Sequence, residues 1–340
     1  MIINIKSVLF PVFLSVLLIS CNQTPSKNKE YIKNSGKIHG TYYHATYLQP
    51  EGKNLQDKIE KKMLEFELSL STFNPNSIIS KINRNDDNVI TDDYFETMYF
   101  EAEKVSENTG GAFDITVAPL VNAWGFGFGN QDRKNEPDVK SILTYVGYRK
   151  IKLENHSVIK SDKRIMLDAS AIAKGQSSDV IGALLEANGC EHYLIEIGGE
   201  VACKGLNPKG KKWRIGIDQP TDDFFDEQKE LQTIVAITNI GLATSGNYRQ
   251  YYYRDGKKYA HTINPISGYP VDHNLLSATA IAPTCMQADA YATAFMVLGV
   301  DSSLAVCNRT PELECYLIYA DDSGAFQVTY SEGFEKYLAE

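Results

Sequence analysis

The sequence predicts an α+β fold with mixed, mostly antiparallel sheets and packed helices. Three observations lead there. Helical periodicity is concentrated in the first half of the chain, alternating β-branched runs dominate the second half, and "QYYYRDGKKYAHT" sets Asp255-Gly256 between two tyrosine-rich arms. A two-residue Asp-Gly connection is a hairpin signal, and helices interleaved with hairpins favour antiparallel pairing. The chain has 340 residues, 43% hydrophobic and 23% charged, enough to bury a substantial core.

The first 20 residues stand apart. Lys6, an apolar run and a small residue before Cys21 read as a signal peptide whose apolar stretch is too short to span a bilayer. Leu18, Ile19, Ser20 and Cys21 resemble a bacterial lipobox. That implies cleavage before Cys21 and lipid, such as palmitate, on the mature N-terminus. Ordinary secretion with Cys21 as a plain thiol is the alternative. Residues 21–36 are polar and expected to be a flexible tether, with one folded domain over 37–340.

Within that domain, Leu55, Ile59, Met63, Phe66 and Leu70 recur at helical spacing, as do Phe95, Met98, Tyr99, Ala102 and Val105 before Gly110 and Gly111. A third helix is expected from about Ala171 to Ala187. Strands are expected in "HYLIEIGGEVACKG", "KWRIGI", "QTIVAITN", "LLSATAIAP" and "ECYLIYA", and a last hairpin turns at "DDSG".

Several function classes drop out. A net charge of −9 without a Lys/Arg stripe argues against nucleic acid. Beyond Cys21 five cysteines remain, Cys190, Cys203, Cys285, Cys307 and Cys315, with no CxxC. They read as buried small hydrophobes, with one bridge left open. "GLNPKGKK" nearly spells a P-loop but has Lys212 where Ser or Thr is needed, and it feeds a strand, so it reads as a hairpin turn. "ATSGN" lacks the glycine of a nucleophile elbow, and six scattered histidines show no zinc spacing.

Four stretches hold polar groups without a local reason. Residues 109–129 carry one charge, Asp114, among glycines and Phe113, Trp124, Phe126 and Phe128; they suit a flat ligand, or a loop filling the core. Asp168 ends a strand, and Lys174 then sits in a helical first turn, where a cation opposes the dipole unless an anion binds there. His261 opens a loop shaped by Pro265, Gly268 and Pro270. Asp289 and Thr293 lie four apart on an apolar helix, aiming a carboxylate and a hydroxyl from one face, as hard-oxygen ligands for Mg2+ would.

These stretches together resemble the ApbE family, the bacterial FAD:protein FMN transferases. "GGAFDITVAPLVNAWGFG", "LDASAIAKG", "IEIGGEV", "WRIGI", "LATSGNYRQYY", "HTINPISGYP" and "ADAYATA" carry the likeness, which runs from about His39 to the last hairpin. The resemblance implies a cleft between sheet ends and helices that binds FAD as substrate, with Mg2+ at its pyrophosphate. FMN would pass to a Thr or Ser hydroxyl of a target protein through a phosphoester bond, releasing AMP. It implies metal ligation by the Ala171 carbonyl, the Asp289 carboxylate and the Thr293 hydroxyl. FAD contacts would fall on Ala112, Phe113, Asp114, Asp168, Lys174 and Ile263. His39, where the family often has Met, and Phe73 would line the flavin or adenine. His261 is the candidate general base or phosphate ligand, and Asp289 is catalytic through the metal. Asn264 and Ser267 depart from the family's Asp and Thr. The expected partner is a flavin acceptor, a membrane redox subunit or an extracytoplasmic electron-transfer protein. The expected place is the bacterial cell envelope, held to a membrane by lipid. A FAD pyrophosphatase and a non-enzymatic FAD-binding lipoprotein are the alternatives.

Overall fold

In the computed structural model, residues 30–128, 135–220, 230–247, 251–254 and 256–339 are described. The lipobox, Cys21 and most of the expected tether lie outside them. Strand β1 (Ile32–Ile38) pairs with β2 (Thr41–Tyr47) across His39-Gly40, whose φ values of 51° and 72° make the tight turn. So β1 takes in residues 32–36 of the expected tether. Its composition looks polar, but Asn34 is buried and accepts from the Tyr47 hydroxyl at 2.7 Å, and Tyr31 packs edge-on against Trp213. Specific bonds, which no hydrophobic pattern reports, hold it in the sheet.

Helices α1 (Gln56–Leu70), α2 (Ile78–Arg84) and α3 (Asp93–Asn108) follow, then the short α4 (Ala118–Ala123) and α5 (Val139–Leu143). A small hairpin, β3 (Ile151–Glu154) and β4 (Ser157–Lys160), precedes α6 (Ala173–Ala187). The strand-forming run "HYLIEIGGEVACKG" folds back on itself as β5 (Tyr193–Ile197) and β6 (Glu200–Lys204), because Gly198 and Gly199 supply a positive-φ turn. Next come β7 (Trp213–Asp218), β8 (Leu231–Ile237), β9 (Ile240–Gly246), β10 (Tyr251–Arg254), β11 (Lys257–Ala260) and β12 (Leu275–Ala282). The chain closes with α7 (Cys285–Leu298), α8 (Val300–Arg309), β13 (Glu314–Ala320) and β14 (Phe326–Tyr330).

Eight strands form one sheet in the order β1-β2-β5-β6-β9-β12-β13-β14, and every pairing is antiparallel. Strands β10 and β11 pair separately as the tyrosine hairpin, with Arg254 opposite Lys257. The turn at Asn207–Lys211 joins β6 to β7, but β7 pairs with β8 instead of folding back on β6. That stretch is therefore a crossing between sheets, not the expected hairpin turn.

The sheet is covered on both faces. Ala280, Ala282, Cys315 and Leu317 join the helical side, while Ile281, Tyr316 and Ile318 join Trp213, Val235 and Phe334 on the other. Alternate residues of β12 and β13 thus face two cores, which explains their unbroken apolar runs. Helix α7 lies on the sheet through small residues: Ala288, Ala290, Ala292 and Ala294 are fully buried. Thr284 caps its first turn, and the Asp179 carboxylate on α6 accepts from the amides of Cys285 and Met286 at 2.9 and 2.8 Å. The five cysteines beyond Cys21 are buried free thiols. Among the described residues no helix is long and apolar enough to cross a membrane.

Candidate active site

Two helices bring the polar groups together. Gly175, in the first turn of α6, lies so close to α7 that a Cβ there would overlap the Cys285 carbonyl and sit 2.8 Å from the Asp289 Cβ. Its amide donates to Asp289 Oδ2 at 3.0 Å. In an uninterrupted helix that amide would serve the Ala171 carbonyl. The Ala171 carbonyl therefore does not receive its regular helical bond from that amide. Thr293 stands one turn beyond Asp289, and its hydroxyl meets Ser245 Oγ of β9 at 3.3 Å. Asp289 Oδ1 has Lys174 Nζ 3.8 Å away, too far for a hydrogen bond.

Asp289 and Thr293 on α7 and the main chain at the start of α6, which is bonded to Asp289, are sources of hard oxygens. A small divalent cation that keeps some of its waters suits such a set, although the described residues hold no cluster of three or more His, Cys, Asp or Glu. One carboxylate, one hydroxyl and one main-chain carbonyl leave coordination positions for water and phosphate oxygens.

Electrostatics set Lys174. Burial works against its ammonium, but Asp289 and Glu200 outweigh that and push its pKa upward, so the charge is held. Glu200 Oε1 accepts from Nζ at 2.8 Å. Burial also lifts Asp289 above the ordinary carboxylate range, with Lys174 and the Gly175 amide pulling the other way.

Lys174 also lines a cleft of about 410 Å³ with His39, Phe66, Glu67, Leu70, Phe73, Ser170 and Ala173. The walls are largely apolar and the ammonium stands among them, an arrangement for an aromatic body with an anionic end. Phe73 is 80% exposed and meets Phe128 edge-on. The His39 amide and Nδ1 both meet Glu67 Oε1, at 3.2 and 3.1 Å, while Nε2 lies 3.0 Å from Ser177 Oγ. Burial, only partly countered by Glu67, lowers its pKa, so the ring is neutral near pH 7. The neutral ring donates from Nδ1 and accepts from Ser177 at Nε2.

The turn that delivers Asp168, Ala171 and Lys174 is held from α2. The Asn83 amide donates to the Leu167 carbonyl at 2.8 Å and its oxygen accepts from the Leu167 amide at 2.7 Å. Asp168 Oδ1 then caps the Ser170 amide at 2.9 Å. Burial, chiefly, raises the Asp168 pKa.

The other expected contacts sit elsewhere. Ala112 and Phe113 are buried in the core, and no side chain of 112–114 lines the cleft. Asp114 does not present a free carboxylate. Its oxygens accept from the Thr116 amide and hydroxyl and from the Tyr148 amide, each at 2.7 Å, and so brace the loop. Ile263 is buried beside Trp124 in a lobe roofed by the tyrosine hairpin, where Tyr252, Tyr259 and Trp124 stack in series. His261 opens that loop, its ring 6.4 Å from Phe126. The Thr262 hydroxyl donates to Asn247, two residues beyond Ser245, so this loop and Thr293 are tied to the same stretch of chain. Asn264 Oδ1 accepts from the amides of Ile266 and Ser267 at 2.8 and 3.1 Å; it shapes the loop without a negative charge.

Glu67, Ser177 and Asn83 carry no signal in the sequence pattern, Ser245 is the serine of "ATSGN", which is no nucleophile elbow, and Glu200 lies in "IEIGGEV". Glu200 is visible in the sequence only as the second of two carboxylates, after Glu196, in the otherwise apolar run "EIGGEVAC".

Fold and site define a class: antiparallel α+β proteins with a largely apolar cleft whose lysine stands close to a buried carboxylate on a sheet-covering helix. The chain belongs to the ApbE family, whose model matches residues 39–317. A FAD:protein FMN transferase of Haemophilus influenzae is 35% identical over 91% of this chain and 92% of its own length. One from Vibrio cholerae is 34% identical over 96% and 97%. Among solved structures, flavin transferase ApbE from Vibrio cholerae superposes with a TM-score of 0.81 at 32% identity, covering 91% of this chain and 99% of that one. The apo flavinyl transferase ApbE of Pseudomonas stutzeri gives 0.80 at 29% identity, covering 92% and 98%.

Proposed function

We propose that this protein takes FAD and transfers its FMN moiety to a Thr or Ser hydroxyl of an acceptor protein, releasing AMP. Near-full-length relatives named FAD:protein FMN transferases support the transfer of FMN from FAD to a protein. The single observation that carries it is Lys174, which lines the apolar cleft while its ammonium stands 3.8 Å from the buried Asp289 carboxylate. A ring system in the cleft would thereby place its phosphates beside both.

In the reaction the FMN phosphorus loses its bond to the bridging oxygen, which leaves with AMP, and gains one to the acceptor oxygen, whose proton departs. Mg2+ held by Asp289, Thr293 and the Ala171 carbonyl would supply a Lewis acid for the pyrophosphate oxygens. Lys174 adds a fixed ammonium for charge on the phosphoryl group, already oriented before the substrate arrives. Asp168, Asn83 and the start of α6 hold that ammonium and the Ala171 carbonyl in register. Phe66, Leu70 and Phe73 shelter the ring and thin the water around the phosphates. His261, at the mouth of the neighbouring lobe, is assigned the acceptor hydroxyl's proton.

The test is incubation with FAD, Mg2+ and a candidate acceptor. Flavin fluorescence on the acceptor in a denaturing gel, with stoichiometric AMP, is the expected result. Free FMN without labelling would make the protein a pyrophosphatase, and tightly held intact FAD would make it a binding protein. We propose further that Cys21 is lipidated and anchors the protein on the extracytoplasmic side of a bacterial membrane. The lipobox and the preceding apolar run support this. Release of the Cys21→Ser protein from the membrane fraction, with loss of acyl mass, tests it.

A further inference from the structure

One charged group at the site has no part in that mechanism. Glu200 opens β6 directly after the Gly198–Gly199 turn and is 5% exposed. Its carbonyl accepts from Ser178 Oγ at 3.2 Å, so its backbone is tied to α6. Oε1 takes the Lys174 ammonium at 2.8 Å. Oε2 is buried and has no hydrogen-bond partner among the described residues. A buried, half-used carboxylate is costly and calls for a reason.

The reason lies in the count of charges. One ammonium stands between two buried carboxylates, 2.8 Å from Glu200 and 3.8 Å from Asp289. A lysine on a four-carbon stem moves toward whichever anion is less compensated. We propose that Glu200 is a positioning residue that holds Lys174 off Asp289 Oδ1 and so keeps that oxygen open for a divalent cation. This inference rests on the reading of Asp289 as a cation ligand. With Glu200 neutral, Asp289 is the remaining anion, and Lys174 closes on it as a surrogate cation. With Glu200 charged, Lys174 stays turned toward β6 and the cleft, available to a phosphate.

Closing the ammonium from 3.8 to 2.8 Å of one carboxylate, at an effective dielectric of about 20, corresponds to roughly a tenfold change in an equilibrium constant. Mn2+ binding to the full-length protein without FAD, read by electron paramagnetic resonance of the free ion, is the measurement. It is made on wild type, E200Q, K174M and the double variant. E200Q is expected to weaken Mn2+ about tenfold in the wild-type background and less than about twofold in the K174M background, where no competing ammonium exists. Equal weakening in both backgrounds would overturn the proposal, because Glu200 would then act only through its own charge. Unchanged affinity in E200Q would overturn it too. If wild type takes up Mn2+ and loses it on D289A, the cation reading stands regardless of the Glu200 result. If wild type takes up none, that reading falls, and this proposal with it. Should E200Q fail to fold, E200D, which keeps the charge but withdraws it by one methylene, is measured in the same two backgrounds. There, weakening abolished by K174M supports the proposal, and weakening unaffected by K174M overturns it.

Discussion

Replacing Gly175 with alanine puts the weight of the site on a single methyl group. The added Cβ would overlap the Cys285 carbonyl and lie 2.8 Å from the Asp289 Cβ, so α6 and α7 must separate by about 1 Å to restore van der Waals distance. Overpacking of this kind costs about 1–3 kcal/mol. The separation also stretches the 3.0 Å bond from the Gly175 amide to Asp289 Oδ2, a hydrogen bond to a buried charged group worth about 1.5–3 kcal/mol. Alanine's better helix propensity returns about 1 kcal/mol. The net is roughly 2–5 kcal/mol, or about 3–8 °C in Tm, because the unfolding entropy of a chain this long makes each kcal/mol worth only about 1.5 °C. Differential scanning calorimetry reads the stability, and AMP release from FAD reads the site, which should lose at least about tenfold. Gly210→Ala is the control. There φ is +70° and nothing lies within 4 Å, so only a backbone cost of about 1–2 kcal/mol is expected, with activity intact. A Gly175→Ala protein melting within about 2 °C of wild type at full activity would refute the close-packed account of the α6–α7 crossing.

Asp289→Ala is expected to abolish FMN transfer, by about a thousandfold or more in AMP release; a rate retained at saturating Mg2+ would contradict its assignment as a ligand. Lys174→Ala should weaken FAD at least about tenfold while leaving riboflavin nearly unchanged, by fluorescence quenching, since only FAD carries phosphates. Asp179 is pushed up to about 6, chiefly by burial, whereas unfolded it titrates near 4. The folded form therefore binds more protons between those values, and stability should fall as pH rises across that window and level off above it. Melting curves of Asp179→Asn against wild type over that range isolate the slope; a wild-type advantage growing with pH would contradict it. Asn264→Asp should leave the melting temperature within about 2 °C, because either side chain presents the oxygen that accepts from Ile266 and Ser267.

Legibility in the sequence followed the physics of each element. Helices α1, α3 and α6 announced themselves through apolar spacing and glycine stops, and Asp289 with Thr293 stood out because two polar groups shared one face of an apolar helix. The tyrosine hairpin was readable from Asp255-Gly256. Strand β1 was not, since its anchoring is a buried Asn34–Tyr47 bond and not an apolar stripe. Asp114 is an isolated carboxylate among apolar residues, which leaves its use open in the sequence; the positions of Thr116 and Tyr148 add a loop-bracing role that no local pattern reports. Glu200 and Glu67 reach the site through turns and a helix face far from it in sequence, and no periodicity encodes such a meeting. Asn83, which pairs with both main-chain groups of Leu167, was unreadable for the same reason.

The strand order has a kinetic consequence. Tyr47 of β2 lies opposite Tyr193 of β5, so the first hairpin must wait for a partner about 150 residues downstream, at a loop-closure cost that local contacts cannot offset early. A chain emerging from its N-terminus would carry an unpartnered β2 edge until β5 (Tyr193–Ile197) follows it out. Factors that keep nascent strands apart should therefore raise the yield of native protein more than any late-acting folding aid.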